Sequence, residues 1–380
     1  MKRISVLVLM LVLKVGAQTP TLVIADSLYA IGNYAEAIEY LNKIPEPTEA
    51  VQLRLARSFE AKGDLETALD NYESLLEKHP EKLLTTIAYG DVLVKAGKLQ
   101  KADSLFENLT EKYPKNASFH FQVGSIKEKL QDSTYLNFLV QTIILEPTHQ
   151  QALYKLAKNA LSYRDFTTSE KLALQGLTVN PNNASLLSIL AQTYFNENSF
   201  VLAITPLEKL LELGQGNEFV HSKLGYCYYN QNNFEDAITQ YNMALTYEDR
   251  NSDTHYNLGK LYAKQGDLKK SETHLLMALL IKKLPVDSEY LSLALTYKLQ
   301  EDHQKTYENC NNALEENPNN ERALYERAVA ADNYFKDQKT VLNHYQAYLN
   351  KYKKDGDNNL VFLTTSRMKD IRAEMHLKGE

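Results

Sequence analysis

"HYNLGKLYAKQGDLKKSETHLLMALL" (His255–Leu280) and "HSKLGYCYYNQNNFEDAITQYNMAL" (His221–Leu245) stand 34 residues apart and follow one pattern. Each opens on His, places Leu-Gly at the fourth and fifth positions and sets a Tyr at the eighth (Tyr228, Tyr262). A small residue follows at the seventeenth (Ala237, Ser271). Neither stretch holds an obvious catalytic group. What they share is a spacing, and the spacing runs through the chain.

Ala25, Ala56, Gly90, Gly124, Ala157, Ala191, Gly225, Gly259, Ala294 and Ala328 recur at intervals of 31 to 35 residues. Gly or Ala occupies a random position about one time in seven, so the series is a true period. A second small residue usually follows 12 places later, as at Ala37, Ala68, Ala102, Ser169, Ala203, Ala237, Ser271 and Thr306. Leu, Ile or Val usually precedes the first small residue, and an aromatic or aliphatic residue usually lies three places after it. Those offsets trace one face of a helix.

Between the two small residues lies a polar turn, such as Gly63-Asp64, Gly97-Lys98, Asn232-Asn233 or Gly266-Asp267. Gly accepts the left-handed conformation that ends one helix, and Asp or Asn caps the next. Pro80, Pro114, Pro147, Pro181 and Pro318 close repeats, because proline cannot continue a helix. Each repeat is thus a helix hairpin, helix A then helix B, drawn together at the small residues. One hairpin leaves an apolar face bare, so hairpins must stack.

This pattern resembles the tetratricopeptide repeat family. The resemblance implies an all-α fold, a right-handed superhelical solenoid of about ten helix hairpins. Three segments are expected: a signal peptide at 1–17, the solenoid at 18–356, and a capping helix and tail at 357–380. The repeats would start near residues 18, 49, 83, 117, 150, 184, 218, 252, 287 and 321. The fourth departs from the pattern around Gln131–Leu136, where Tyr135 stands in the place of the small residue and the turn is one residue short. The tenth is loose around Phe335–Thr340. The chain has no Trp, the residue that often opens such repeats; His120, His221, His255 and Tyr290 fill that slot. Pro206, well inside a B helix, predicts a kink. From Leu360 to Leu377, Val361, Met368, Ile371 and Met375 share one helical face, as a cap over the last hairpin requires.

The N-terminus reads as a separate element. Lys2 and Arg3 precede an apolar run from Ile4 to Leu13, and Val-Gly-Ala leads to Gln18. That is the layout of a cleaved secretory signal, with the run too short for the roughly 20 residues of a membrane span. The expected location is outside the cytoplasm, periplasmic or secreted, with no stable membrane span after cleavage. Losing Lys2, Arg3 and Lys14 takes the net charge from −6 to −9. An acidic surface with no basic block longer than a pair repels phosphate backbones, which excludes nucleic acid as the expected partner. The two cysteines, Cys227 and Cys310, fall in different repeats and are expected to be free, buried thiols.

No GxSxG, HExxH, phosphate-binding Gly loop or CxxC occurs. The chain is therefore expected to be no enzyme, with no cofactor and no metal. His221 and His255, at equivalent places one repeat apart, are expected to pack rather than to ligate. The resemblance implies that helix A lines the inner face through the second, fifth, ninth, twelfth and thirteenth positions of each repeat. Those positions nominate Tyr154, Lys158, Gln192, Phe195, Asn196, Tyr226, Tyr229, Asn230, Tyr256, Lys260 and Lys264 as ligand-binding residues. Rings would bury a peptide's side chains, amides would bond its backbone, and Lys would meet a carboxylate. The Lys/Asn/Arg set with which some family members clamp a chaperone's terminal carboxylate occurs in no three successive repeats. The expected function is a non-enzymatic protein-interaction scaffold of the cell envelope. A periplasmic chaperone for exported or outer-membrane proteins stands as the alternative, and an enzyme with an unrecognised site as a weaker one.

Overall fold

A computed structural model describes residues 20–282 and 286–378. The segment 1–17, read above as a signal peptide, lies outside the described residues. The described residues form 21 α-helices and no strand. The chain divides into an N-terminal body ending at Pro181 and a C-terminal body starting at Asn182.

The N-terminal body begins with α1 (residues 20–30) and α2 (Tyr34–Asn42), followed by α3 (Glu49–Lys62) with α4 (Leu65–Lys78) and α5 (Leu83–Lys95) with α6 (Leu99–Lys112). Then come α7 (Ala117–Lys129) with α8 (Tyr135–Leu145) and α9 (Gln150–Ser162) with α10 (Phe166–Leu177). The C-terminal body holds α11 (Ala184–Asn196) with α12 (Phe200–Glu212), α13 (Glu218–Asn230) with α14 (Phe234–Tyr247), and α15 (Ser252–Gln265) with α16 (Leu268–Ile281). It continues with α17 (Asp287–Leu299) and α18 (His303–Glu316), α19 (Glu321–Tyr334) and α20 (Gln338–Tyr352), and ends on α21 (Asn358–Lys378). From α2 to α10, and again from α11 to α21, each helix packs on the next in sequence. Each body is a helical solenoid of hairpins.

The hairpins close where the sequence supplies no bulk. A Cβ added to Gly90 would lie 2.6 Å from the Phe106 ring, and one added to Gly259 would lie 2.6 Å from Leu275 Cγ. In each case the facing residue comes four places after the B-helix small residue and is fully buried. The same place holds Tyr72 and Tyr241, also buried. In the fourth repeat Gly124 faces Leu139, one residue earlier in register, which accommodates the shortened turn before Tyr135.

The A-to-B turns share one device. Gly32, Gly63, Gly97, Gln131, Arg164, Asn198, Asn232, Gly266 and Glu301 occupy the same register, and all have positive φ between 58° and 90°. Glycine adopts this conformation freely, whereas the other residues carry a steric cost. The tenth repeat has no such residue: Phe335 is extended (φ −89°, ψ 141°), and Asp337 caps α20 through Lys339 N and Thr340 N. α12 runs unbroken through the buried Pro206 to Glu212, so any kink there stays within one helix.

The C-terminal cap forms as an amphipathic helix. Met368, Ile371 and Met375 of α21 pack with Ala328, Val341 and Tyr345. Val361 is half-buried, and Thr364, not read as part of that face, is fully buried. Arg367 ties α21 to α19 with paired bonds to Asp332 (2.7 and 3.0 Å) and also bonds Glu374 of its own helix (3.0 Å).

Candidate binding surface of the C-terminal body

Helices α11 to α14 bring a strip of rings together. Phe195 meets Tyr226 edge-on at 5.3 Å between centroids, and both meet Phe200 at 5.5 and 5.2 Å. Tyr226 continues to Tyr229 at 6.4 Å, and Tyr229 to Phe234 at 6.1 Å. All five rings are half-buried, so each leaves part of its area accessible. Edge-on and tilted arrangements are those favoured by the ring quadrupole.

Cations sit on this strip. Lys223 Nζ is 4.2 Å from the Phe195 centroid. Lys260 lies 5.1 Å from Tyr256 and 5.7 Å from Tyr229, and Lys264 lies 5.0 Å from Tyr229 and 4.8 Å from Phe234. Such contacts contribute about 0.5–1 kcal/mol at exposed sites. Beside the strip opens a cavity of about 580 Å³, lined among others by Phe195, Phe200, Phe219, Lys223, Tyr226 and Tyr256. Asn198, Asn251 and Asn257 supply amides to its wall. Tyr256 is held from behind, where its hydroxyl accepts a bond from Ser292 Oγ at 3.2 Å.

Of the residues nominated from the sequence, Phe195, Tyr226, Tyr229, Tyr256, Lys260 and Lys264 thus come together. Gln192 and Asn230 turn their amide nitrogens toward their own helices. Gln192 Nε2 donates to Ser188 O and Oγ, both at 3.2 Å, and Asn230 Nδ2 donates to Tyr226 O at 2.8 Å. A polar side chain one helical turn from a carbonyl satisfies itself locally. Asn196 is exposed at the end of α11. Tyr154, half-buried, and Lys158, exposed, lie on α9 and belong to the N-terminal body.

Sequence reading missed Phe200, Phe234 and Lys223. The first two open B helices, and the register carried the signal: Phe166, Phe200 and Phe234 hold the same place in three successive repeats. Lys223 sits at the sixth position of its repeat, outside the five assigned to the inner face.

The ionisable groups beneath the strip suit packing. Burial pushes the Cys227 thiol up to about 12, so it stays protonated, and burial raises the Tyr241 hydroxyl as well. Cys310 is likewise buried and pushed up to about 12. His255 contacts His274 Nδ1 to Nδ1 at 2.9 Å and Asp249 O at 3.0 Å, and His274 stacks on Tyr262 at 5.4 Å. Burial, then the neighbouring His255 and Lys270, push His274 down to about 4. His221 bonds Gln240 Oε1 at 2.7 Å and stacks on Tyr247. Among the described residues no group of three His, Cys, Asp or Glu side chains is placed to share a metal ion.

Sequence models of the tetratricopeptide repeat match residues 60–120 and 252–283, and a TPR repeat model matches residues 225–266. The chain carries tetratricopeptide repeats. TPR repeat-containing protein YpiA of Bacillus subtilis (strain 168) is 24% identical over 183 residues, 47% of this chain. The chain spans 43% of that relative's length. Similar solved structures include YrrB, described as a TPR protein with an unusual peptide-binding site (16% identity, TM-score 0.46, 49% of this chain and 96% of that one). Another is a tetratricopeptide repeat protein from Parabacteroides merdae ATCC 43184 (17% identity, TM-score 0.43, 65% of this chain and 98% of that one). Tetratricopeptide repeats are typically non-enzymatic modules that bind proteins or peptides. No helix among the described residues is long and apolar enough to cross a membrane.

Proposed function

We propose that this chain is a non-enzymatic scaffold of the cell envelope that holds a partner protein through an extended segment laid on the strip Phe195–Tyr226–Tyr229. The observation that carries the reading is the half-buried state of five contiguous rings with lysines laid over them. Contiguous, partly exposed rings leave apolar area that a second molecule can cover. The proposed export rests on the charged and apolar pattern of residues 1–17.

A photoreactive phenylalanine at Tyr226 tests the strip. Crosslinking in the native host, followed by mass spectrometry, should return the same partner from Tyr226 and from Tyr256. The exposed Met243 of α14 serves as the outer-surface control. Capture from Met243 alone would retire the strip as the binding surface. Fractionation of the same cells checks the proposed location.

A further inference from the structure

The lysines of the strip differ from those lysines that are ion-paired within the chain. Lys95 pairs with Glu60 at 2.5 Å, Lys282 with Glu289 at 2.5 Å, Lys298 with Glu326 at 2.7 Å, and Lys155 with Glu128. Lys223, Lys260 and Lys264 have rings and no carboxylate within ion-pair distance among the described residues. Two acids, Glu218 and Asp253, line the adjoining cavity without reaching these lysines. Glu218 accepts from Asn251 at 2.8 Å, Asp253 faces Lys282 at 3.9 Å, and Glu208 accepts from Tyr228 at 2.5 Å. On a chain of net charge −6, three cations without an ion-pair partner are gathered on one ring strip.

Resting on the function proposed above, we infer that the strip's occupant is an acidic peptide: an internal, extended segment of a partner protein with Asp or Glu side chains flanking an apolar one. Lys223 stands on α13, and Lys260 and Lys264 stand one turn apart on α15. Packed helices lie roughly 9 Å apart, and an extended chain advances about 3.3 Å per residue. Carboxylates about three residues apart would therefore meet the two helices. The side chain between them would lie on Tyr226 and Tyr229. Since two separate cation positions must be filled, side-chain carboxylates are required and a free C-terminus is not.

The test is selection from a random dodecapeptide display library, with each peptide fused through its C-terminal end so that no free carboxylate is offered. The purified full chain, the Tyr226→Ala variant and the triple variant Lys223→Gln/Lys260→Gln/Lys264→Gln are panned in parallel. Selected peptides should be enriched in Asp or Glu spaced about three apart around Leu, Phe or Tyr. Their synthetic forms should bind at least about tenfold more weakly to the triple variant, and after Glu→Gln exchange in the peptide, and should weaken as salt is added. The lysine exchanges are at the surface, so they remain informative should Tyr226→Ala fail to fold. If neutral peptides are selected that need Tyr226 but not the lysines, the acidic ligand is overturned while the groove stands. If no selected peptide depends on either variant, both fall. Displacement of a selected peptide by an equimolar single-stranded oligo(dT) would overturn the peptide in favour of a nucleic acid.

Discussion

Lys95 and Lys264 hold the same place, the thirteenth residue of the third and of the eighth repeat. Each reaches back to the twelfth residue of the repeat before. Lys95 finds Glu60 and forms an ion pair at 2.5 Å; Lys264 finds the Tyr229 ring at 5.0 Å. One residue changes the character of the surface. In the N-terminal body the cation is neutralised within the chain, and the carboxylate also accepts from Tyr72 Oη at 3.2 Å, tying the face to the core. In the C-terminal body the cation rests on a ring that leaves its charge unspent. The same hairpins thus carry a surface closed on itself and one that still has an interaction to make.

If the difference lies on the face alone, the cores beneath must be equivalent. Phe106→Ala, beneath Gly90, and Tyr241→Ala, beneath Gly225, should each cost about 3–5 kcal/mol, read from urea unfolding. These are the largest effects expected. A small cost at Tyr241 alone would break the comparison by placing the difference in the packing.

The next effect belongs to one side only. His255 and His274 occupy slots that hold Thr86 and Leu105 in the third repeat, neither of which titrates. His274 is pushed down to about 4 from its ordinary 6.5, so the folded protein favours its neutral form. The stability this preserves is complete above pH 6.5 and is lost as pH falls toward 4, where the unfolded chain binds the proton first. The loss is about 3 kcal/mol at most. Urea midpoints taken at about pH 7.5 and about pH 4.5 should differ less in His274→Gln than in the parent chain. An unchanged difference would remove His274 as the source.

Tyr229→Glu rebuilds the closed arrangement in the open region, since Lys264 then has a carboxylate where Lys95 has Glu60. Stability should move by less than about 1 kcal/mol. Binding of an acidic dodecapeptide in fluorescence anisotropy should weaken about tenfold, or about 1.4 kcal/mol. Full binding by this variant would show that the ring and the unpaired lysine are incidental.

The legible and the hidden parts of the molecule follow from how information is stored in a repeat. Small residues at fixed intervals are a backbone constraint, since no Cβ fits between Gly259 and Leu275, and periodicity exposes such constraints in one sequence. The cap on α21 was legible for the same reason: Met368, Ile371 and Met375 keep helical spacing. Pairings between repeats are stored differently. The contact of His255 with His274 joins residues 19 apart on the two helices of a hairpin, and only the turn geometry decides that they meet. Lys223 escaped because a position rule names places, whereas a long flexible side chain reaches past its own place. Gln192 and Asn230 are legible by residue type, but the bonds of their amide nitrogens to the carbonyl one turn back are not.

The smallest effect separates the two arrangements most directly. A double-mutant cycle on Glu60 and Lys95 should return a coupling of about 0.2–1 kcal/mol, because Lys95 is more than half exposed and solvent screens the pair. A cycle on Tyr229 and Lys264 should return about 0.5–1 kcal/mol. The magnitudes overlap, so size alone decides nothing; salt does. Two full charges on the surface lose much of their attraction once the Debye length shrinks from about 10 Å at 0.1 M salt to about 3 Å at 1 M. A cation in contact with a ring face interacts with a quadrupole at short range, where few ions intervene. Raising salt across that range should therefore erase most of the Glu60–Lys95 coupling and leave most of the Tyr229–Lys264 coupling. Equal salt sensitivity in the two cycles would mean that Lys264 is already spending its charge on an acidic group, and the contrast between the two surfaces would go with it.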